Sequence, residues 1–214
     1  MLFLMKRLFG GDEFRDIQPP PATAYLRHGL KQGLKQRAEL GANSFKYGLV
    51  SATDTHIAAP GLAMEKNHPG HGGAGMGSGD GIPEGLPDEL EYGPGGLAVL
   101  YAEENTRDAL FAAMQRREAY ATTGTRIRVR VFAGYGFVEA DLPRADFAAH
   151  GYANGVPMGG DLAAAPEGTA PGLLIRALRD ADGANLDRIQ IVKGWLDDAG
   201  ATHERVYDVA WSDD

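Results

Sequence analysis

The sequence predicts an α+β protein in which a partial α/β segment is followed by an antiparallel, β-sandwich-like domain. Three observations support this prediction. Apolar residues recur at helical spacing in 24–40 and again in 107–118. Short apolar runs of strand length accompany both stretches. From Arg126 onwards the period changes to two and glycine turns separate the runs, as in antiparallel sandwiches. We therefore expect two domains, 1–124 and 125–214.

The first helix is predicted to span 24–40 and to be followed by a strand. Its apolar residues fall at four-residue steps and form one stripe, at Leu26, Leu30, Leu34 and Ala38. Gly41 is the expected C-terminal stop, because glycine readily adopts the left-handed conformation found there. The run 49–52 has the length of a strand covered on both faces, as parallel strands under helices are. Helix and strand together form one αβ step.

A second strand and a second helix are predicted at 97–102 and 107–118. Asn105 or Thr106 can cap this helix, since a short polar side chain accepts a hydrogen bond from a backbone N–H of the first turn. The stretch 60–96 that precedes them is rich in glycine and breaks every period, so we expect a long mobile loop. Long loops at the end of a strand often act as lids.

The second domain is predicted from alternating apolar and polar residues. The expected strands lie near 127–131, up to about 178, at 188–191 and at 206–211. Arg128 and Arg130 alternate with apolar residues in the first of these strands, so their side chains project to the same side. We expect that side to be a solvated face of the sheet.

Composition restricts the class of protein. The chain has 214 residues, of which 43% are hydrophobic and 23% are charged, as in globular proteins. Its net charge of −8 argues against nucleic acid or an anionic membrane as a partner. It contains no cysteine, which excludes disulfides, thiolate metal sites and a cysteine nucleophile.

The apolar start of the chain is interrupted by Lys6 and Arg7 and is too short for a signal-peptide core or a membrane span. Two interpretations are open. The start is either part of an element of a longer parent protein, entered at an internal methionine, or a native amphipathic helix. The sequence assigns no compartment.

The run 49–52 leads directly into Asp54 and His56, the residue pair best suited to bind a metal ion. Active sites of α/β proteins collect at the carboxyl ends of strands. Residues two apart in an extended chain project to the same side, so a carboxylate oxygen and an imidazole nitrogen can converge on one metal ion. The structural alternative is a capped turn or a hydrogen-bonded pair.

Four further residues are candidates for lining such a site. His68 and His71 lie in the glycine-rich loop and would be either additional ligands or solvated loop histidines. Glu103 and Glu104 follow the second strand. They would either face the site or offset the positive end of the helix that they precede.

Six short motifs occur in one order between about Tyr25 and the C-terminus. They are LGANSFKYG at 40–48, SATDTH at 51–56, AEENTR at 102–107, YATTG at 120–124, VPMGGD at 156–161 and RIQIVKGW at 188–195. With these motifs the chain resembles the C-terminal part of the domain of unknown function 3604 family, a branch of the PHP (polymerase and histidinol phosphatase) superfamily of metallohydrolases. The α/β segment is accordingly expected to be PHP-like.

The resemblance implies a site and a chemistry. Asp54 and His56 match the last metal-binding motif of the PHP barrel. Family chemistry implies a cluster of divalent ions, usually zinc, manganese or iron, that activates water for attack on a phosphoester. The substrate itself, a small molecule, and the catalytic residues are not assigned.

The sequence departs from the superfamily in the other ligands, which include an opening His-x-His from earlier strands. This chain has no His-x-His, and residues 1–53 contain a single histidine, His28. We therefore expect a hydrolase site that is completed elsewhere and a chain that alone binds metal weakly and turns over little or nothing. The alternative is a non-catalytic interaction or assembly module, built on the β-sandwich. Under either interpretation the chain has too few strands to close a barrel, so an exposed apolar edge would favour a homo-oligomer.

Overall fold

The computed structural model describes residues 21–54, 61, 63 and 95–212. The chain divides into two compact units, 1–46 with 190–209 and 47–189 with 210–214. The described part consists of helices and antiparallel sheets, which confirms the α+β class. Within these ranges, no helix has both the length and the apolar character needed to cross a membrane.

The described residues form three α-helices and seven strands. In chain order these are α1 (Leu26–Leu40), β1 (Ala98–Leu100), α2 (Arg107–Arg116), β2 (Ala119–Ala121), β3 (Arg128–Gly134), α3 (Phe147–Asn154), β4 (Val156–Pro157), β5 (Gly172–Leu178), β6 (Arg188–Leu196) and β7 (Thr202–Trp211). The two predicted helices, the predicted second strand and the predicted strands after Arg126 are confirmed in position.

The first unit is organised around α1. As predicted, this helix ends at Gly41, whose φ of 75° is left-handed and whose N–H donates to the Arg37 carbonyl oxygen at 3.1 Å. In the same unit, the β7 carboxylate of Glu204 pairs with Arg27 Nη1 at 2.7 Å and with Lys31 Nζ at 3.1 Å. These ion pairs fix one side of α1 against the strand.

In the second unit, β1 and β2 pair antiparallel and α2 connects them. Thr106 is the cap, since its hydroxyl oxygen accepts from Ala109 N at 3.4 Å. The helix ends at Arg117, a non-glycine residue with a left-handed φ of 59°. The chain can therefore reverse within two residues and enter β2.

The core of the second unit lies on the antiparallel sheet β4-β3-β5. Phe132 of β3 and Leu174 of β5 are direct cross-strand partners and are almost fully buried. Phe147 of α3 covers them, with its ring centroid 6.0 Å from that of Phe132 in an edge-on arrangement. The sequence does not predict α3, because the helix is only eight residues long and has Gly151 in its middle.

The predicted buried strand at 49–52 is wrong. No strand is formed in residues 47–54, and Leu49 and Val50 are 38% and 58% exposed. This segment is tied to the residues just before β1 by a hydrogen bond from Gly96 N to the Ala52 carbonyl oxygen (3.0 Å) instead of a regular ladder. The strand pairs of the described sheets around it are antiparallel, whereas the αβ step required parallel ones.

We predict that Gly151→Ala destabilises the protein, although alanine is the better helix former. A Cβ at this position would lie 2.3 Å from Phe132 Cδ2, so the core must shift. Overpacking of this kind costs about 1–3 kcal/mol of the free energy of unfolding, measured by urea denaturation. Gly136→Ala is the matched control, because its Cβ would meet no atom within 4 Å. Equal stabilities of the two variants would contradict the prediction.

We predict that Asp141 contributes to stability against acid. Its pKa lies below the ordinary value, chiefly because Val138 N–H donates to the carboxylate and also because His150 Nε2 lies 3.0 Å from Oδ1. The contribution is present above the ordinary pKa of 3.8 and is lost as the pH falls through the lower pKa of the folded state.

The measurement is urea denaturation at several values between about pH 5 and pH 2. Asp141→Asn should be less stable than the wild type at the upper end of this range and should lose less stability as the pH falls. Asp198→Asn, which replaces an exposed aspartate, should keep the wild-type pH dependence. The same acid dependence in the wild type and Asp141→Asn would overturn the assignment.

Candidate functional site

Asp54 is the described member of the predicted metal pair, and His56 lies outside the described residues. Asp54 is exposed and has a φ of 58°, in the left-handed region. It is therefore not in the extended conformation that would place residues 54 and 56 on one side. Non-glycine residues in this region are uncommon, although aspartate tolerates it better than most.

The segment before Asp54 is held by close packing. A Cβ at Gly95 would lie 2.8 Å from Thr53 Cα, so only glycine allows the two backbones to approach this closely. Ser51 Oγ donates to the carbonyl oxygen of Thr122 at 2.6 Å. Thr122 Oγ1 in turn accepts from Leu97 N at 2.9 Å. Two of the six sequence motifs, 51–56 and 120–124, are thereby brought into contact.

The other predicted site residues are not brought to Asp54 by the described structure. His68 and His71 lie outside the described residues. Glu103 and Glu104 follow β1, whereas the Thr53 backbone packs against Gly95 before that strand. Glu103 pairs with Arg116 Nη2 at 3.3 Å, and Glu104 accepts from Thr106 Oγ1 at 3.2 Å. Both glutamates thus interact with α2 and its cap.

The donors in the described residues do not make up a metal site by themselves. Within 21–54, 61, 63 and 95–212, no group of three or more histidine, aspartate and glutamate side chains is arranged to hold a metal ion. One exposed carboxylate, that of Asp54, falls short of the three protein ligands of a catalytic zinc centre.

The structure assembles a different polar cluster, around Glu118, that the sequence did not indicate. This side chain is 2% exposed and lies between α2 and β2. Its Oε1 lies 3.1 Å from Arg130 Nη2 and accepts a hydrogen bond from the Tyr152 hydroxyl, while Oε2 lies 3.5 Å from Arg116 Nε. A buried carboxylate is costly unless it is paired, and here three side chains from α2, β3 and α3 pair it.

Arg130 occupies an aromatic environment. Its guanidinium carbon lies 3.7 Å from the centroid of the Tyr101 ring and 5.0 Å from that of Tyr152. Burial raises the pKa of both tyrosines, and the hydrogen bond to Glu118 raises that of Tyr152 further. Arg130 side-chain exposure is only 13%, so the predicted solvated face is wrong at this residue.

A cavity of about 340 Å³ opens beside this cluster. It is lined by Tyr101, Arg128, Arg130, Ala148, Arg176 and Leu178. Three of these six described residues are arginines, and none of the six is acidic. Alternation in β3 predicted that Arg128 and Arg130 share a side. The third arginine, Arg176, lies opposite Arg130 on β5, 46 residues further along the chain, and the sequence did not indicate this neighbour.

Comparison with known proteins places the chain in a family. The family model described as "Protein of unknown function (DUF3604)" matches residues 11–214. No curated protein and no solved structure matches the chain. Since the family match covers far more than half of the sequence, the chain belongs to the DUF3604 family of proteins of unknown function.

Proposed function

We propose that this chain is the C-terminal part of a metal-dependent hydrolase of the PHP superfamily, acting on a phosphoester. Asp54 and His56 would be two ligands of a divalent zinc, manganese or iron site that other donors complete. In this proposal the α/β segment is PHP-like and 125–214 is a β-sandwich. The chain alone would be inactive or nearly so.

The observation that carries the proposal is the way Asp54 is presented. Its carboxylate is exposed, but the residue before it is only 7% exposed and packs against Gly95. The Ser51 hydroxyl adds a hydrogen bond to the carbonyl oxygen of Thr122, just after β2. An exposed carboxylate on a tightly packed backbone suits a metal ligand. The backbone positions the carboxylate before the metal binds, which lowers the entropic cost of ordering it.

A second candidate function, an interaction or assembly module, is favoured by the exposed apolar side chains of β5. This strand lies at the edge of the sheet β4-β3-β5, and its Leu173 and Leu178 are 44% and 53% exposed. Edge strands with exposed apolar residues pair readily with other chains. In this alternative the chain would act through self-association, without turnover.

We predict weak binding of Mn²⁺ or Zn²⁺ that requires both residues of the pair. Calorimetric titration of the metal-free chain should show affinity that falls by about tenfold or more in Asp54→Asn and in His56→Ala. Asp108→Asn removes a carboxylate that is 96% exposed on α2 and should bind like the wild type. Hydrolysis of a generic phosphodiester should be slow or absent in all of them.

Unchanged metal affinity in both Asp54→Asn and His56→Ala would reject the hydrolase proposal for this chain. Sedimentation velocity on the same samples tests the alternative. Self-association that is lost in Leu173→Ser, without any metal binding by the wild type, would support the assembly module.

A further inference from the structure

The arginine-lined cavity lies on the same face of the sheet as the hydrophobic core. Side chains of paired residues in β3 and β5 share a face, and alternate pairs project to the same side. Three such pairs follow one another, namely Phe132 with Leu174, Arg130 with Arg176 and Arg128 with Leu178. The core therefore passes directly into a charged cavity, where an apolar continuation would be the ordinary arrangement.

The described residues compensate the positive charge of this cavity only in part. Arg130 pairs with Glu118, but its Nε and Nη1 are buried without a hydrogen-bond partner in the described residues. Arg176 donates to two uncharged acceptors, the carbonyl oxygens of Leu142 (2.5 Å) and Arg144 (3.0 Å). The Arg128 side chain forms no hydrogen bond or ion pair within the part of the chain that the structure describes.

Among the described residues, about two positive charges thus remain without a counter-charge at one site. The protein as a whole carries a net charge of −8, so this local excess runs against the overall balance. Like charges held close together destabilise the folded state unless an anion joins them. Guanidinium groups bind carboxylate and phosphate oxygens through two parallel hydrogen bonds, which makes arginine the usual residue for such anions.

The other walls of the cavity favour an organic ligand. The Tyr101 ring, Ala148 and Leu178 are apolar surfaces beside the arginines. A volume of 340 Å³ is at the lower end of the range for small-molecule sites. The site therefore fits a small ligand that has a compact apolar part and one doubly negative group.

We propose that this cavity binds a small organic phosphate monoester, with Arg128 and Arg176 contacting the phosphate and Tyr101 contacting the organic group. The binding requires no metal. It is independent of Asp54 and His56, so it stands or falls separately from the proposed hydrolase site.

The test is calorimetric titration of the full chain with phenyl phosphate at pH 7.5 in the presence of EDTA. We expect saturable binding that weakens by about tenfold or more in Arg128→Ala, because each bidentate charge-assisted contact is strong. Arg128 suits the test because its side chain is exposed and has no partner among the described residues, so its loss should not unfold the protein. Arg107→Ala is the matched control, since this arginine is 96% exposed on α2.

Two further titrations determine what is recognised. Benzoate, which has the same ring but a single negative charge, should bind about tenfold or more weakly than phenyl phosphate. Asp54→Asn should bind phenyl phosphate like the wild type. The proposal is overturned if phenyl phosphate does not bind at millimolar concentration, if Arg128→Ala binds as the wild type does, or if benzoate binds equally well.

Discussion

The second unit depends on one buried carboxylate, that of Glu118, and on the arginine that pairs with it. Glu118 lies where α2 passes into β2, Arg130 lies in β3, and Tyr152 comes from α3, so a single cluster joins three parts of the unit. Removing one member of a buried ion pair leaves the other charged and desolvated, which is far more costly than the pair itself is stabilising. The cluster therefore couples the packing of α2, β3 and α3.

This arrangement connects the segment that ends at Asp54 with the arginine-lined cavity. β2 begins just after Glu118 and ends just before Thr122, whose carbonyl oxygen accepts from Ser51. The Glu118 cluster thus fixes one end of β2, and the segment that presents Asp54 packs against the other end. The arginine-lined cavity is next to the cluster, because Arg130 belongs to both. A ligand in the cavity and a metal at Asp54 would bind at opposite ends of one short strand.

Local signals in the sequence predicted the elements whose causes are local. α1 ends at Gly41 and α2 begins at Thr106 because each cap is made by residues within a few positions. The prediction of a strand at 49–52 was wrong because a strand needs a neighbouring strand to pair with. Apolar composition does not show that such a neighbour is available. Glu118 and the pairing of Arg130 with Arg176 were missed for the same reason, since their partners come from distant parts of the sequence. The Asp54 and His56 pair was found by spacing and resemblance, and it remains a prediction.

The most direct test of this account is a double-mutant cycle between Glu118 and Arg130, read as the free energy of unfolding in urea. Glu118→Gln should cost about 3–5 kcal/mol, because it leaves the buried Arg130 without its acidic partner. Arg130→Gln should cost less than this, because Arg116 and the Tyr152 hydroxyl remain beside Glu118. The double variant should cost less than the sum of the two single variants by about 1–3 kcal/mol. Additive losses, or single losses below about 1 kcal/mol, would show that the pair is solvated. That result would contradict the claim that the second unit depends on a buried Glu118–Arg130 pair.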